Sequence, residues 1–267
     1  MTESELLFSE TLNYSRDKLY LNKNRFLSRK ESCFLADALR RRIKGEPIQY
    51  ILGKTEFMGL AFRLTPDVFI PRPETEILVE AVLDIVARHK AQGASLKILD
   101  IGTGSGCIAV SLAKFIKYAK VTAVDISVKA LEIARQNALL NDVDISLLRG
   151  DIFIDCRLPI TDFDLIIANP PYVPAAEIDC LEPELGYEPV LALDGGWDGL
   201  DFYRRIIKHS PACLKMGGLL IMEMGFGQCA AIKDLFSSRN EFNINSVIKD
   251  YNRIDRIIIA QLARRNG

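Results

Sequence analysis

From Leu96 onward the chain alternates short apolar runs with segments whose apolar residues recur at helical spacing. Runs at Lys97–Ile101, Lys120–Asp125, Ile145–Arg149, Phe163–Ala168, Gly218–Met222, Ile244–Ile248 and Arg256–Ala260 predict strands. Segments at about 107–117, 127–140, 199–213 and 227–237 predict helices between most of them. Strands alternating with helices imply right-handed crossovers and a mostly parallel sheet covered on both faces. Only Lys249–Asp255 joins the last two strands, too short for a crossover helix, so those two should pair antiparallel. Tyr172–Asp198 carries neither period, and irregular stretches of that length inside compact domains are usually functional or mobile.

The first part of the chain reads differently. Leu6, Leu7, Tyr14, Leu19 and Leu21 give residues 3–21 a loose helical spacing. Ser28 and Glu31 form a capping-box signature for a second helix, with Phe34, Leu35, Ala38 and Leu39 as its apolar stripe. Arg40, Arg41, Arg42 and Lys44 load its last turn before Gly45 stops it. Leu60, Phe62 and Leu64 then alternate beyond a Met58-Gly59 turn, which predicts a short hairpin. Pro71-Arg72-Pro73 stiffens the chain before a helix from Glu74 to about Lys90, with Ile77, Leu78, Leu83, Ile85 and Val86 on its apolar face. These changes divide the chain into a small helical domain (1–46), a linker with a β-hairpin (47–73) and a large α/β domain (74–267).

Composition narrows the classes. With 49% hydrophobic and 26% charged residues over 267 positions, the chain is neither disordered, collagenous nor a coiled coil. Its net charge of −1, from 34 Lys+Arg against 35 Asp+Glu, argues against a protein that coats duplex DNA. No apolar run approaches the roughly 20 residues that span a bilayer. Glu3, Glu5 and Glu10 do not suit the basic start of a signal peptide. The six cysteines form no Cys-x-x-Cys pair and only two histidines could join them, which disfavours zinc and suits a reducing compartment, so a cytoplasmic location is expected. The first 46 residues hold ten Lys/Arg against seven Asp/Glu, an excess that fits either a solvated helical face or a docking surface.

Three motifs sit at predicted strand ends. Asp100-Ile101-Gly102-Thr103-Gly104-Ser105-Gly106 ends the first, where glycines let the backbone turn sharply or approach a ligand. A dinucleotide-binding turn would place its third glycine at position 107, which is Cys, so the spacing favours a smaller nucleoside ligand. Asp125 ends the second strand, about 20 residues beyond the glycines, where a carboxylate accepts from ribose hydroxyls; the alternative is a helix start with Ser127 as cap. Asn169-Pro170-Pro171-Tyr172 ends the fourth. Its prolines have no N–H, so the turn offers the Asn169 amide oxygen and the Pro170 carbonyl as acceptors for both hydrogens of a planar –NH₂ group. The Tyr172 ring can pack beside that plane and beside a cation.

Together these motifs resemble S-adenosylmethionine-dependent methyltransferases that act on planar amino or amide nitrogens. Three further stretches, Pro47–Gly53, Ile70–Glu76 and Asp194–Leu200, make nearly the whole chain similar to the bacterial release factor glutamine methyltransferases. The resemblance implies a Rossmann-like seven-stranded methyltransferase sheet with its last strand antiparallel, preceded by a small helical substrate-docking domain and a β-hairpin linker. It implies that Gly102, Thr103, Gly104, Ser105 and Gly106 hold S-adenosyl-L-methionine, that Asp125 binds the ribose and that Asn169 also borders the cofactor. Ile152, in the run Gly150-Asp151-Ile152-Phe153, takes the position against the adenine that is often Trp in the family, with Phe153 as a possible compensating contact. Asn169, Pro170, Pro171 and Tyr172 would bind a glutamine in the Gly-Gly-Gln loop of peptide-chain release factors, with Asn169, Pro170 and Tyr172 catalytic. The products would be N5-methylglutamine and S-adenosyl-L-homocysteine, with no metal, membrane or stable nucleic-acid partner. An N6-adenine nucleic-acid methyltransferase presents nearly the same –NH₂ chemistry but needs a basic channel and base flipping. A ribosomal-protein glutamine methyltransferase shares the motifs with a different N-terminal domain. An oxidoreductase is disfavoured by Cys107, and a binding protein would have little use for Asn169–Tyr172.

Overall fold

The computed structural model describes residues 2–88, 95–151 and 161–263. Three capped helices open the chain: α1 (Glu3–Leu12), α2 (Arg16–Leu21) and α3 (Arg29–Ile43). Residues 3–21 are two helices rather than one, because Asn13 turns into the left-handed region at φ 51° and Ser15 caps a new start. Ser28 and Glu31 do form the capping box of α3. Of the stripe expected on α3, only Leu35 and Ala38 are buried, while Phe34 and Leu39 are exposed. The helix has a narrow buried face. It packs chiefly on α1 and on α4 (Ile48–Leu52), a five-residue helix too short to show a period. Leu7, Leu35, Ala38, Ile48 and Ile51 make a small core of their own.

The hairpin pairs β1 (Lys54–Phe57) with β2 (Leu60–Arg63) antiparallel. Met58 and Gly59 both have positive φ, 53° and 71°, as a twist-matched two-residue hairpin turn requires. Phe57 and Phe62 meet edge to face with ring centroids 6.0 Å apart and are buried in the main core, a burial that stabilises by about 1.5–3 kcal/mol for each ring. Helix α5 (Pro73–Arg88) follows; its expected end near Lys90 lies outside the described residues.

The large sheet comprises β3 (Leu96–Ile101), β4 (Ala119–Asp125), β5 (Ser146–Arg149), β6 (Phe163–Ala168), β7 (Leu214–Glu223), β8 (Phe242–Lys249) and β9 (Asp255–Leu262) in the order β5-β4-β3-β6-β7-β9-β8. The first five strands of that order are parallel, and β9 runs antiparallel to both β7 and β8, as expected of the last strand. Helices α6 (Cys107–Phe115), α7 (Val128–Leu140), α8 (Asp201–His209) and α9 (Cys229–Ser237) complete the layers. Helix α8 is shorter than the 199–213 pattern because a 3-10 turn over Ser210–Ala212, containing Pro211, follows it. The period of two is visible in β3, where Ile98 faces one core layer and Leu99 the other. The strand order reverses between β3 and β6, and their register pairs Ile101 with Ala168. Ligands of open α/β sheets bind at the carboxyl ends of strands at such a reversal.

Tyr172–Asp198 holds three 3-10 turns, at Ala175–Cys180, Leu185–Tyr187 and Val190–Ala192. Among the described residues no helix is long and apolar enough to cross a membrane. Cysteines 33, 107, 180, 213 and 229 are all free thiols.

Candidate active site

A cavity of about 620 Å³ opens at the carboxyl edge of β3, β4 and β6, within the range usual for small-molecule sites. The register between β3 and β6 brings the glycine turn and the Asn-Pro-Pro-Tyr turn into it side by side. Gly102, Thr103, Gly104, Ser105, Asp125, Asn169, Pro170, Pro171 and Tyr172 all line it. Gly106 closes the glycine turn just behind. It has φ 80°, and a Cβ there would stand 2.9 Å from the Cβ of Ala134 on α7, so only glycine lets the two helices approach. Ile152 and Phe153 lie outside the described residues.

Buried acceptors surround the glycine turn. Asp100 is fully buried; its Oδ2 accepts from Thr103 Oγ1 at 2.6 Å, and its Oδ1 has no hydrogen-bond partner. Burial pushes its carboxyl up to about 7, against the Thr103 hydrogen bond, and the nearby Asp125 charge adds to the rise. Asp125 accepts from the Gly104 N–H on Oδ2 and the Ser127 N–H on Oδ1, both at 2.9 Å. Each oxygen keeps a lone pair for a further donor. Burial raises the Asp125 pKa, and the backbone N–H groups of Ser127, Gly104 and Ile126 pull it back. Ser127 caps α7 through its hydroxyl, which accepts from the Ala130 N–H at 3.2 Å. Asp125 is thus free of capping duty and organises the turn.

At the end of β6 the Asn169 Nδ2 donates to Thr75 Oγ1 at 3.1 Å. That turns the amide nitrogen toward α5. Among the described residues no donor reaches the Pro170 carbonyl. Tyr172 packs against the core layer under α8 and α9. Burial pushes its hydroxyl up to about 12; the Glu223 charge adds to this, while Arg256 and Arg72 oppose it. The Tyr172 carbonyl accepts from Gln228 Nε2 at 2.9 Å, and Gln228 Oε1 takes the Gly225 N–H at 3.1 Å, so α9 braces the turn.

The sequence pattern did not reveal several neighbours. Thr75 and Arg72 lie inside the Ile70–Glu76 stretch, but nothing local says what they touch. Arg72 pairs with the buried Glu188 carboxylate, which also accepts from the Ile70 N–H at 3.1 Å, clamping the irregular Tyr172–Asp198 segment onto the linker. Burial raises the Glu188 pKa and Arg72 opposes the rise. Glu223 is the single acid in an apolar strand, a signal that could have marked it.

Comparison with known proteins bears on this geometry. Residues 74–181 match the Methyltransferase small domain family, and residues 1–53 match the PrmC N-terminal domain family. A release factor glutamine methyltransferase of Geobacter sulfurreducens is 44% identical over 259 residues, covering 96% of this chain and 87% of that protein. The chain belongs to the release factor glutamine methyltransferase family. A family member from Thermodesulfovibrio yellowstonii is 38% identical over 265 residues, covering 98% of this chain and 92% of its own. Among solved structures, a methyltransferase from Pyrococcus furiosus shares the fold with a TM-score of 0.58 at 20% identity, over 86% of this chain and 100% of that one. The family's N-terminal match runs through α4, whose Ile48 and Ile51 complete the small helical core.

Proposed function

We propose that this chain transfers a methyl group from S-adenosyl-L-methionine to the side-chain amide nitrogen of the glutamine in the Gly-Gly-Gln loop of peptide-chain release factors. The products are N5-methylglutamine, S-adenosyl-L-homocysteine and the proton that the amide nitrogen gives up. The observation that carries this reading is Asn169, at the strand reversal beside the glycine turn, with its Nδ2 occupied by Thr75 and its Oδ1 left to accept.

The residues present fit the cofactor. The spare lone pairs of Asp125, which lines the cavity, are acceptors in search of donors, which suits a ligand bearing ribose hydroxyls. Gly102–Gly106, with Thr103 and Ser105, forms the cradle, Asp125 takes the ribose, and Asn169 borders the methyl-bearing end. When bound, the cofactor supplies a methyl group already activated on a sulfonium. The chain's own task is to orient a poor nucleophile. Asn169 Oδ1 and the Pro170 carbonyl accept the two amide N–H bonds, aim the nitrogen lone pair and support the positive charge that grows on it. Asn169 is neutral and acts as an acceptor, not a base. Pro171 fixes the turn, and Tyr172 walls the substrate amide.

In the same reading residues 1–46 dock the protein substrate, 47–73 link, and 74–267 carry the chemistry, in the cytoplasm and without stable nucleic-acid binding. Leu21, Phe26 and Ile43 stand exposed on the helical part. Deleting residues 1–46 would uncover Ile48 and Ile51, so docking is better tested at the surface. Phe26→Ser should raise KM for intact release factor with kcat preserved, the mark of lost uniform binding; unchanged KM removes Phe26 from that role.

The decisive assay offers release factor, ribosomal protein and DNA side by side with labelled cofactor. Label on the Gly-Gly-Gln glutamine is expected; label on DNA alone, or on no glutamine, overturns the proposal. Asp125→Ala should weaken calorimetric cofactor affinity about tenfold or more, since hydrogen bonds to a charged acceptor contribute roughly 1.5–3 kcal/mol. An unchanged affinity would move the ribose elsewhere.

A further inference from the structure

Strands β6 and β7 are parallel, with Ala168 opposite Met222. The next residue along each, Asn169 and Glu223, therefore emerges at the carboxyl edge of neighbouring strands. Thr75, buried in the first turn of α5, accepts from Asn169, and the Glu223 carboxyl, raised by burial, is held down first by the Thr75 hydroxyl and also by the Asn169 amide itself. Glu223 is 2% exposed and its Oε2 has no hydrogen-bond partner. A buried carboxylate with an orphaned oxygen is a standing cost to stability, and natural sequences keep such costs at working sites.

The direction of the hydrogen bonds gives this cluster a use. A threonine hydroxyl has one proton to donate, whereas an ionised carboxylate can only accept. When Thr75 gives its proton to Glu223, it can only accept from Asn169. The amide is then locked with Nδ2 inward and Oδ1 outward. Were Glu223 neutral, Thr75 could instead donate to the Asn169 oxygen. The amide could turn over and set its N–H groups against the N–H groups of the substrate.

We propose that Glu223 is a positioning residue for methyl transfer, which fixes, directly and through the Thr75 hydroxyl, the face that Asn169 shows the substrate amide. This rests on the reading of Asn169 as the substrate acceptor. The charged and titratable groups acting on Glu223 or feeling its charge come from every side: Glu74 on α5, Arg256 on β9, Tyr172 after β6, Tyr203 on α8 and Cys107 on α6. Arg256 is held by Asp250 at 2.9 Å, and the Tyr203 hydroxyl donates to the Glu223 backbone carbonyl at 2.9 Å. The balance leaves the Glu223 carboxyl raised to about 7 by burial.

The test is a variant series on the full-length enzyme with intact release factor. Glu223→Gln and Thr75→Val should each lower kcat at pH 8 by about tenfold or more, while KM for release factor and calorimetric cofactor affinity stay within about twofold. Thr75→Ser, which keeps the hydroxyl, should restore kcat to within about twofold of wild type. The thermal midpoint of Glu223→Gln at pH 8 should not fall below wild type, because a buried charge has been removed. The wild-type kcat should decline on the acid side near pH 7 as Glu223 protonates, and Glu223→Gln should lack that limb, which separates it from Asp100 titrating in the same range. Wild-type kcat in Glu223→Gln, or equal impairment in Thr75→Ser and Thr75→Val, overturns the inference. So does a loss of activity that tracks a lowered thermal midpoint. If wild type methylates a different acceptor, the substrate reading fails, and the same ranking of variants is expected, and can be refuted, on that acceptor.

Discussion

Asn169→Ala is expected to lower kcat for methyl transfer by about 10²–10³-fold, the usual cost of removing one preorganised polar partner from a charge-developing site. The amide nitrogen of glutamine is a weak nucleophile because its lone pair is delocalised into the carbonyl, and positive charge grows on it as the methyl arrives. Asn169 Oδ1 meets that charge; alanine leaves the Pro170 carbonyl to do so alone. The glycine turn hangs from β3 and is held by Asp125, so cofactor affinity should fall far less than turnover. Asn169→Gln keeps the amide but moves it by a methylene, and displacement by about 1 Å alone can cost about 100-fold. It should therefore fail to rescue. Single-turnover rates with calorimetric cofactor affinities measured in parallel check both points. Activity of Asn169→Ala within a few-fold of wild type would remove Asn169 from the chemistry.

The second large effect comes from a residue in the Asp194–Leu200 stretch. Gly199 has φ 75°, and a Cβ there would stand 2.4 Å from the Tyr172 carbonyl oxygen and 2.8 Å from Gln228 Nε2. Those are the two ends of the hydrogen bond that braces the Asn-Pro-Pro-Tyr turn. Gly199→Ala adds about 1–2 kcal/mol for the left-handed backbone to about 1–3 kcal/mol for overpacking. The thermal midpoint should fall by roughly 5–15 °C. The surviving folded enzyme should lose turnover, because Tyr172 must move, while still binding cofactor on the other side of the strand reversal. Gly59→Ala is the control: its φ is 71°, and an added Cβ would meet nothing within 4 Å. Only the backbone cost should appear there. Scanning calorimetry of the two variants decides the matter, and equal midpoints would mean that the close approach of Gly199 to Tyr172 is of no consequence.

Legibility differed between elements for identifiable reasons. The strands of the large sheet show in the sequence because buried strands need continuous apolar runs. The capping box at Ser28 and the Met58-Gly59 turn are local chemistry, and both formed where the pattern placed them. Only half of the α3 stripe is buried, because periodicity tells which residues share a face but not how wide a neighbour covers it. Helix α4 leaves no period in the sequence because five residues complete little more than one turn. The site divided in the same way. The Gly102–Gly106 turn, Asp125 and Asn169–Tyr172 announce themselves as unusual residues in unbroken runs. Thr75 and Glu188 do not, because each matters only through a partner far along the chain, and Glu223 shows only as the single acid of its strand.

By itself, then, the sequence determined the α/β class, the strand ends that carry the unusual motifs and membership in a family of methyltransferases, since these depend on periods and motifs within a few residues. The tertiary structure alone decided the strand order, the reversal that sets Ile101 beside Ala168, and the meeting of Asn169, Thr75 and Glu223. Which strands pair, and which polar groups are buried together, follows from packing the whole chain at once. No local pattern encodes it.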